Sequence, residues 1–297
     1  MIKIFERVIR ERATQYLKEG DFPLSFLKFS TVTSGKTLND KVIFLVFKNN
    51  AGVPFLCLKT VRIYKARDVI IKNYSNLKDL NALMCETPSS SLFAKAIHLH
   101  DDGENIFSIE TVCPGQRPVL DKKSLGFVVA EYSGFQEHVA RRRPEQLFSG
   151  EQFAREILTS SGLGESDQDK VLEFADSLAV AKPMLPRVIQ HGDLSEDNIL
   201  ISKRALHIID YDFVGVTTLP GFDLFGLFNR YDRSKIKELF LEYMPKYFSR
   251  VGAEVEESQY EYLSFLYYLV ERTLRKPHPP ERNSAHHIIS DFGVSSK

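Results

Sequence analysis

The spacing of apolar residues changes character twice along the chain. In the first twenty residues Ile4, Phe5, Val8, Ile9 and Tyr16 fall at helical spacing, which predicts an amphipathic lead-in helix. From Ser25 the texture becomes strand-like. Phe26–Thr33, Lys41–Phe47 and Val53–Lys59 are β-rich runs, separated by the turn signals Ser34-Gly35-Lys36 and Asn49-Asn50-Ala51-Gly52. That punctuation predicts an antiparallel meander. Arg67–Met84 then carries Ile70, Ile71, Tyr74, Leu77, Leu80 and Leu83 as a helical stripe. Two more strand-like runs, Ala94–His100 and Ile106–Val112, flank the hairpin signal Asp101-Asp102-Gly103-Glu104-Asn105, and Pro114-Gly115 closes the series. The expected order is three strands, one helix, two strands.

From about Lys122 the pattern is largely helical, apart from Val188–Asp212. Stripes such as Phe127/Tyr132/Phe135, Leu172/Phe174/Leu178, Ile236/Leu239/Phe240/Tyr243/Tyr247 and Tyr262/Phe265/Leu266/Leu269 carry it. Gly162–Asp169 breaks two helices, with Ser166 or Asp167 expected as the cap. The proline-rich stretch Lys276–Ser284 is expected to be a surface excursion. The fold class is therefore α+β, with an N-terminal antiparallel sheet and one main helix, then a mostly helical C-terminal part. The expected domains are residues 1–113 and 114–297, and a chain of 297 residues suits two lobes.

Composition narrows the partners. Hydrophobic residues make up 43% and charged residues 26%, enough for a sizeable core. Lys plus Arg equals Asp plus Glu at 39 each, so no global field favours nucleic acid or an anionic membrane as a partner. Cys57, Cys85 and Cys113 lack metal-ligand or disulfide spacing, and Cys57 lies in an apolar run where a small buried hydrophobe fits. No stretch has the roughly 18 apolar residues a spanning helix needs. A cytoplasmic protein is expected.

The chemistry concentrates in one segment. Val188-Ile-Gln-His191-Gly192-Asp193-Leu-Ser-Glu-Asp-Asn198-Ile-Leu-Ile sets polar residues between two apolar runs, read as a loop between short strands. His207-Ile-Ile-Asp210-Tyr-Asp212 repeats the design, with a strand delivering a carboxylate. Phosphoryl transfer needs a carboxylate to orient the acceptor, hard oxygen ligands for Mg²⁺ and a cation on the nucleotide phosphates. Asp193 suits the first role, Asn198 and Asp210 the second, and Lys59 the third. Backbone N–H groups of the Ser34-Gly35 turn would cover the phosphates.

These residues resemble a known family. His-Gly-Asp-Leu-x-x-x-Asn followed by Ile-Ile-Asp-Tyr-Asp looks like the aminoglycoside phosphotransferase and choline kinase group, distant relatives of the protein kinases. The resemblance implies a protein-kinase-like bilobal fold and an ATP-dependent transfer to the hydroxyl of a small metabolite such as a sugar, an amino alcohol or an aminoglycoside-like compound. It implies Asp193 as catalytic base, Asn198 and Asp210 as magnesium ligands, Lys59 on the nucleotide phosphates, and His191 as a brace for the loop. Glu110 and Val112 would offer main-chain groups to adenine. Gly221-Phe-Asp223-Leu resembles the family's structural aspartate.

The chain departs from that pattern in two places. The helix after the lysine strand normally supplies a glutamate to pair with the lysine, yet residues 67–84 hold no Glu; Asn73 stands at the expected position, Asp68 or Asp79 takes it in a different register, or phosphate alone holds Lys59. The phosphate loop is also poor in glycine. Asn73 motivates the alternative function of a pseudokinase, a nucleotide-binding or interaction module without transfer. A protein kinase proper is disfavoured by Gly192, where that group has Arg, and by Ser195, where it has Lys. Four other features have bland readings: Asp212 as a turn cap or second metal contact, Arg141-Arg142-Arg143 as a solvated helix end, the Tyr260/Tyr262/Tyr267/Tyr268 set as packing, and His286-His287 as surface.

Overall fold

The computed structural model describes residues 2–13, 27–33, 40–48, 52–85, 87, 91–142, 147–179, 181–203, 205–275 and 284–295. The chain divides into two compact units that are interleaved in sequence. One comprises Met1–Arg117 with Ile199–Asp212, the other Pro118–Asn198 with Phe213–Lys297. The division expected at residues 113/114 follows chain order. The units themselves exchange the chain three times.

In the first unit, helix α1 (Ile2–Ala13) leads into strands β1 (Leu27–Thr33), β2 (Lys41–Lys48) and β3 (Leu56–Val61). Helix α2 (Arg67–Leu83) and strands β4 (Ala96–Asp101) and β5 (Ile106–Thr111) follow. The sheet order is β1-β2-β3-β5-β4, with every pairing antiparallel. The order of three strands, a helix and two strands is as read from the sequence. The last two strands add on by inserting β5 beside β3.

Strand alternation gives each face of this sheet its own cover. Leu56, Leu58, Phe107 and Ile109 pack with Phe5, Val8 and Ile9 of α1. The Phe5 ring meets Phe107 and Phe44 edge-on, at 4.8 and 5.4 Å between centroids. The residues between those positions point the other way, where Val61 and Ile106 meet Ile70 of α2. Cys57, Lys59, Ser108 and Glu110 share this second parity. The buried Lys59 and Glu110 therefore share the face that α2 covers. The β8 (Ile199–Ser202) and β9 (Ala205–Ile208) hairpin joins this unit through bridges from Gln116 to Ile201 and from Phe93 to Ile208. Gly115 makes the first bridge possible: at φ +119°, an added Cβ would sit 2.7 Å from the Ile201 carbonyl.

The second unit is mainly helical: α3 (Lys122–Arg141), α4 (Gly150–Thr159), α5 (Glu165–Ser177), α6 (Phe222–Tyr231), α7 (Ile236–Val251), α8 (Tyr260–Val270) and α9 (Ala285–Ser295). Asp121 and Ser149 start α3 and α4 with reciprocal capping boxes. The cap of α5 corrects the sequence reading. Gly164 occupies that position, so Ser166 and Asp167 lie inside the first turn, where an acidic group favours the helix dipole.

Two three-residue strands, β6 (Leu147–Ser149) and β7 (Met184–Pro186), form a hairpin too short for a period to announce. Val188–Gln190 is not a ladder strand. It is held as an extended segment by bonds to Thr218, Thr217 and Gly215. Tyr260, Tyr262 and Tyr267 are buried in packing, and His286 and His287 are exposed, both as expected. Most of the Lys276–Ser284 excursion lies outside the described residues. Among the described residues, no helix is long and apolar enough to cross a membrane.

Candidate active site

In the first unit, Lys59 sits near the end of β3 with its side chain buried. Burial alone works against its charged form, and the Glu110 carboxylate outweighs it, leaving the ammonium with a raised pKa. Nζ lies 2.9 Å from Glu110 Oε1, donates to Asn73 Oδ1 at 3.2 Å, and stands 4.9 Å from the centre of the Tyr211 ring. Asn73 passes the contact on. Its Nδ2 donates to Asp212 Oδ1 at 2.7 Å and, more weakly, to Asp210 Oδ1 at 3.4 Å.

The partner missing from α2 is thus supplied by β5. Lys59 pairs in register with Ser108, so Glu110, two residues on, is its diagonal neighbour on the same face. Glu110 was expected to offer main-chain groups to adenine. Instead its backbone lies in the ladder between Cys57 and Ala96, and its side chain is spent on Lys59. A central strand has no main-chain edge to give, which is the physical reason for the difference. Val112 follows directly after β5. Cys57 and Cys113, close to Glu110, have thiols pushed up to about 12 by burial and by that carboxylate, so neither is a ready nucleophile. Ser34 and Gly35 lie outside the described residues.

Asp210 adopts a left-handed backbone, φ 67°, an uncommon conformation that Asp tolerates better than most residues. Its carboxylate bonds the ammonium of Lys41, which also donates to Asp212 Oδ2 at 2.6 Å. The two carboxylates therefore share one lysine ammonium as their counter-charge. Lys41, at the start of β2, was not singled out from the sequence. Nothing local marks it, because its partners lie some 170 residues away.

In the second unit, the His191–Asn198 loop is held from beneath by Asp223, in the first turn of α6. Its Oδ2 accepts the His191 N–H at 2.6 Å, and its Oδ1 accepts the Gly192 N–H at 2.8 Å. The Tyr132 hydroxyl also donates to this carboxylate. Burial raises the Asp223 pKa, opposed by His191 and by these hydrogen bonds. Gln136 extends the net to Ile189 O at 2.7 Å and accepts from Gln190 at 2.7 Å and from Tyr247 at 2.9 Å. Tyr132 and Gln136 were missed as functional supports. The available signal was a glutamine on the apolar face of α3.

Gly192 explains why this loop lacks the protein-kinase arginine. With φ at +83°, an added Cβ would lie 2.3 Å from the Phe213 carbonyl oxygen. Asn198 Nδ2 donates to the carbonyl of Asp193 at 2.9 Å and to its Oδ2 at 3.2 Å, so Asp193 and Asn198 stand together. Asp193 Oδ1 accepts from Arg230 at 3.0 Å and also from Arg275.

Residues 124–257 match the model of the phosphotransferase enzyme family. This stretch, under half of the chain, holds Asp193, Asn198, Asp210 and Asp223, the residues on which the loop's resemblance rests. Two solved structures agree in fold. One is a variant of aminoglycoside 2′-phosphotransferase-IIIa in complex with GDP, 13% identical, covering 99% of this chain and 96% of its own, with a TM-score of 0.54. The other is a provisionally assigned fructosamine-3-kinase from Haemophilus somnus 129PT, 13% identical, covering 97% and 99%, with a TM-score of 0.52. No curated protein sequence matches the chain. The two structures share the fold of this chain, and the α+β, kinase-like architecture read from the sequence holds.

Proposed function

We propose that this protein transfers the γ-phosphoryl group of ATP to a hydroxyl of a small metabolite. The observation that carries the reading is Asn198 bonded to the Asp193 carboxylate, in a loop anchored on Asp223 and inside the family-matched stretch. Asp193 orients the acceptor hydroxyl and takes its proton. Lys59, fixed by Glu110 and Asn73, holds nucleotide phosphates. Val112 keeps the main-chain role toward adenine, and the Ser34-Gly35 turn covers the phosphates.

Asn198 of the second unit and Asp210 of the first are the residues that would hold magnesium. Asn198 commits its Nδ2 to Asp193, which leaves Oδ1 for a cation, and Asp210 adds a carboxylate whose counter-charge here is Lys41. When bound, the metal would neutralise charge on the phosphate oxygens. The reading includes a cytoplasmic setting, where nucleoside triphosphates are at hand. The alternative of an inactive nucleotide-binding module was motivated by Asn73. Glu110 supplies the charge that Asn73 cannot, which weighs against it.

Asp193→Ala is expected to abolish ADP release across a metabolite panel run with ATP and with GTP. The melting-temperature shift induced by Mg-nucleotide should remain. Full turnover in the variant would overturn the assignment of Asp193, and nucleotide binding without turnover by the wild type on any acceptor would favour the module.

A further inference from the structure

The surroundings of Asp193 bear on which acceptor the site takes. Orienting a hydroxyl requires one carboxylate, yet Asp193 Oδ1 receives two guanidinium groups. They are not equivalent. Arg275 belongs to the π-helical turn that follows α8. Its side chain is 8% exposed, it bonds Glu271 at 2.6 and 2.8 Å through one nitrogen, and it stacks 5.5 Å from the Phe213 ring centre. It is a fixed part of the wall, balanced by Glu271.

Arg230, at the end of α6, is different. Its side chain is 32% exposed, and its bond to Asp193 through a single nitrogen is its one hydrogen bond among the described residues. The rest of its planar donor fork is unspent. Such a fork matches a carboxylate or a phosphate in bidentate fashion. A negatively charged acceptor engages the open fork and draws Arg230 away from Asp193, leaving that oxygen to the hydroxyl.

We infer that the acceptor is an anionic hydroxyl compound, its carboxylate or phosphate bound by Arg230 beside the reacting hydroxyl. This rests on the kinase reading above. The acceptor oxygen forms the new bond to the γ-phosphorus, the bond from that phosphorus to the β–γ bridging oxygen breaks, ADP leaves, and the hydroxyl proton passes to Asp193. Cationic aminoglycosides would face two arginines and are disfavoured.

Two matched series test the inference: glycerol, glycerate and glycerol 3-phosphate, then glucose, glucuronate and glucose 6-phosphate. Each compound is titrated calorimetrically against the full chain and assayed for ADP release, with kanamycin as the cationic control. Anionic members should bind more tightly than their neutral parents, and the carboxylate and phosphate arms distinguish the two anion types. Arg230→Met should weaken that binding roughly ten- to hundredfold, the range expected for losing a charge-assisted hydrogen bond. Arg230→Lys should recover part of it. Nucleotide affinity should stay unchanged in both variants. Equal or absent binding of the anionic members, or anion binding unaffected in Arg230→Met, overturns the inference. Anion binding that depends on Arg230 without ADP release on any acceptor keeps it and sinks the kinase reading instead.

Discussion

Lys59, Glu110 and Asn73 are buried together, and at that depth the balance of charge decides whether the group is stable. An isolated buried ammonium is expensive, and breaking a buried ion pair from one side costs about 3–5 kcal/mol. Glu110→Gln is therefore expected to cost about 3 kcal/mol, the lower end, because the new amide can still accept from Nζ. Asn73→Ala removes a neutral partner, and its cost should be about 1–2 kcal/mol. Guanidinium denaturation of both variants checks the order, and a larger loss for Asn73→Ala would mean that the charge pair is not the anchor. Lys59 was legible in the sequence because it ends an apolar strand. The side-chain role of Glu110 was not, because only the register of β5 beside β3 makes the two diagonal neighbours. The same holds for Lys41, whose partners are set by the return of the chain.

At the scale of elements, the polar loop depends on what presses against it. Gly192 contributes most by having no side chain: its N–H reaches Asp223, and its Cα lies against the Phe213 carbonyl. Gly192→Ala combines a strained positive φ, of order 1–3 kcal/mol, with a backbone clash, so a loss above about 3 kcal/mol is expected, with turnover falling as Asp193 shifts. Gly226, inside α6 with open space around its Cα, is the control. There an alanine should gain about 0.5–1 kcal/mol. Thermal melts of the pair test this, and a neutral Gly192→Ala would show that the loop can relax away from Phe213. The long elements were readable because their apolar periods are sustained: α2, α3, α7, α8 and the five-stranded sheet. The β6–β7 hairpin and the extended Val188–Gln190 segment were not. Each is defined by a distant partner and is shorter than any period.

For the whole molecule, the decisive fact is that residues 199–212 complete the first unit after the chain has already built part of the second. Their hold there is extensive. Ile208 and Tyr211 are fully buried. The Ala94 N–H donates to the Tyr211 hydroxyl at 3.2 Å, Asn76 Nδ2 donates to the Tyr211 carbonyl at 2.6 Å, and His207 Nδ1 lies 2.8 Å from the Ser91 carbonyl. Asp210 and Asp212 also neutralise Lys41. A fragment of residues 1–117 keeps every strand of the five-stranded sheet but loses this lining. Apolar surface would be exposed where Ile208 and Tyr211 dock, Asn73 would lack acceptors for its amide, and Lys41 would lack its counter-charges. The fragment is expected to unfold with a broad, weakly cooperative transition and to bind an apolar dye such as ANS. The same fragment joined through a Gly/Ser linker to residues 199–212 should recover a sharp transition, because a flexible linker closes the loop at modest entropic cost. Cooperative unfolding of residues 1–117 alone would mean that the sheet and its two helices already form a complete core, leaving the returning segment to serve the chemistry of Asp210 and not the fold.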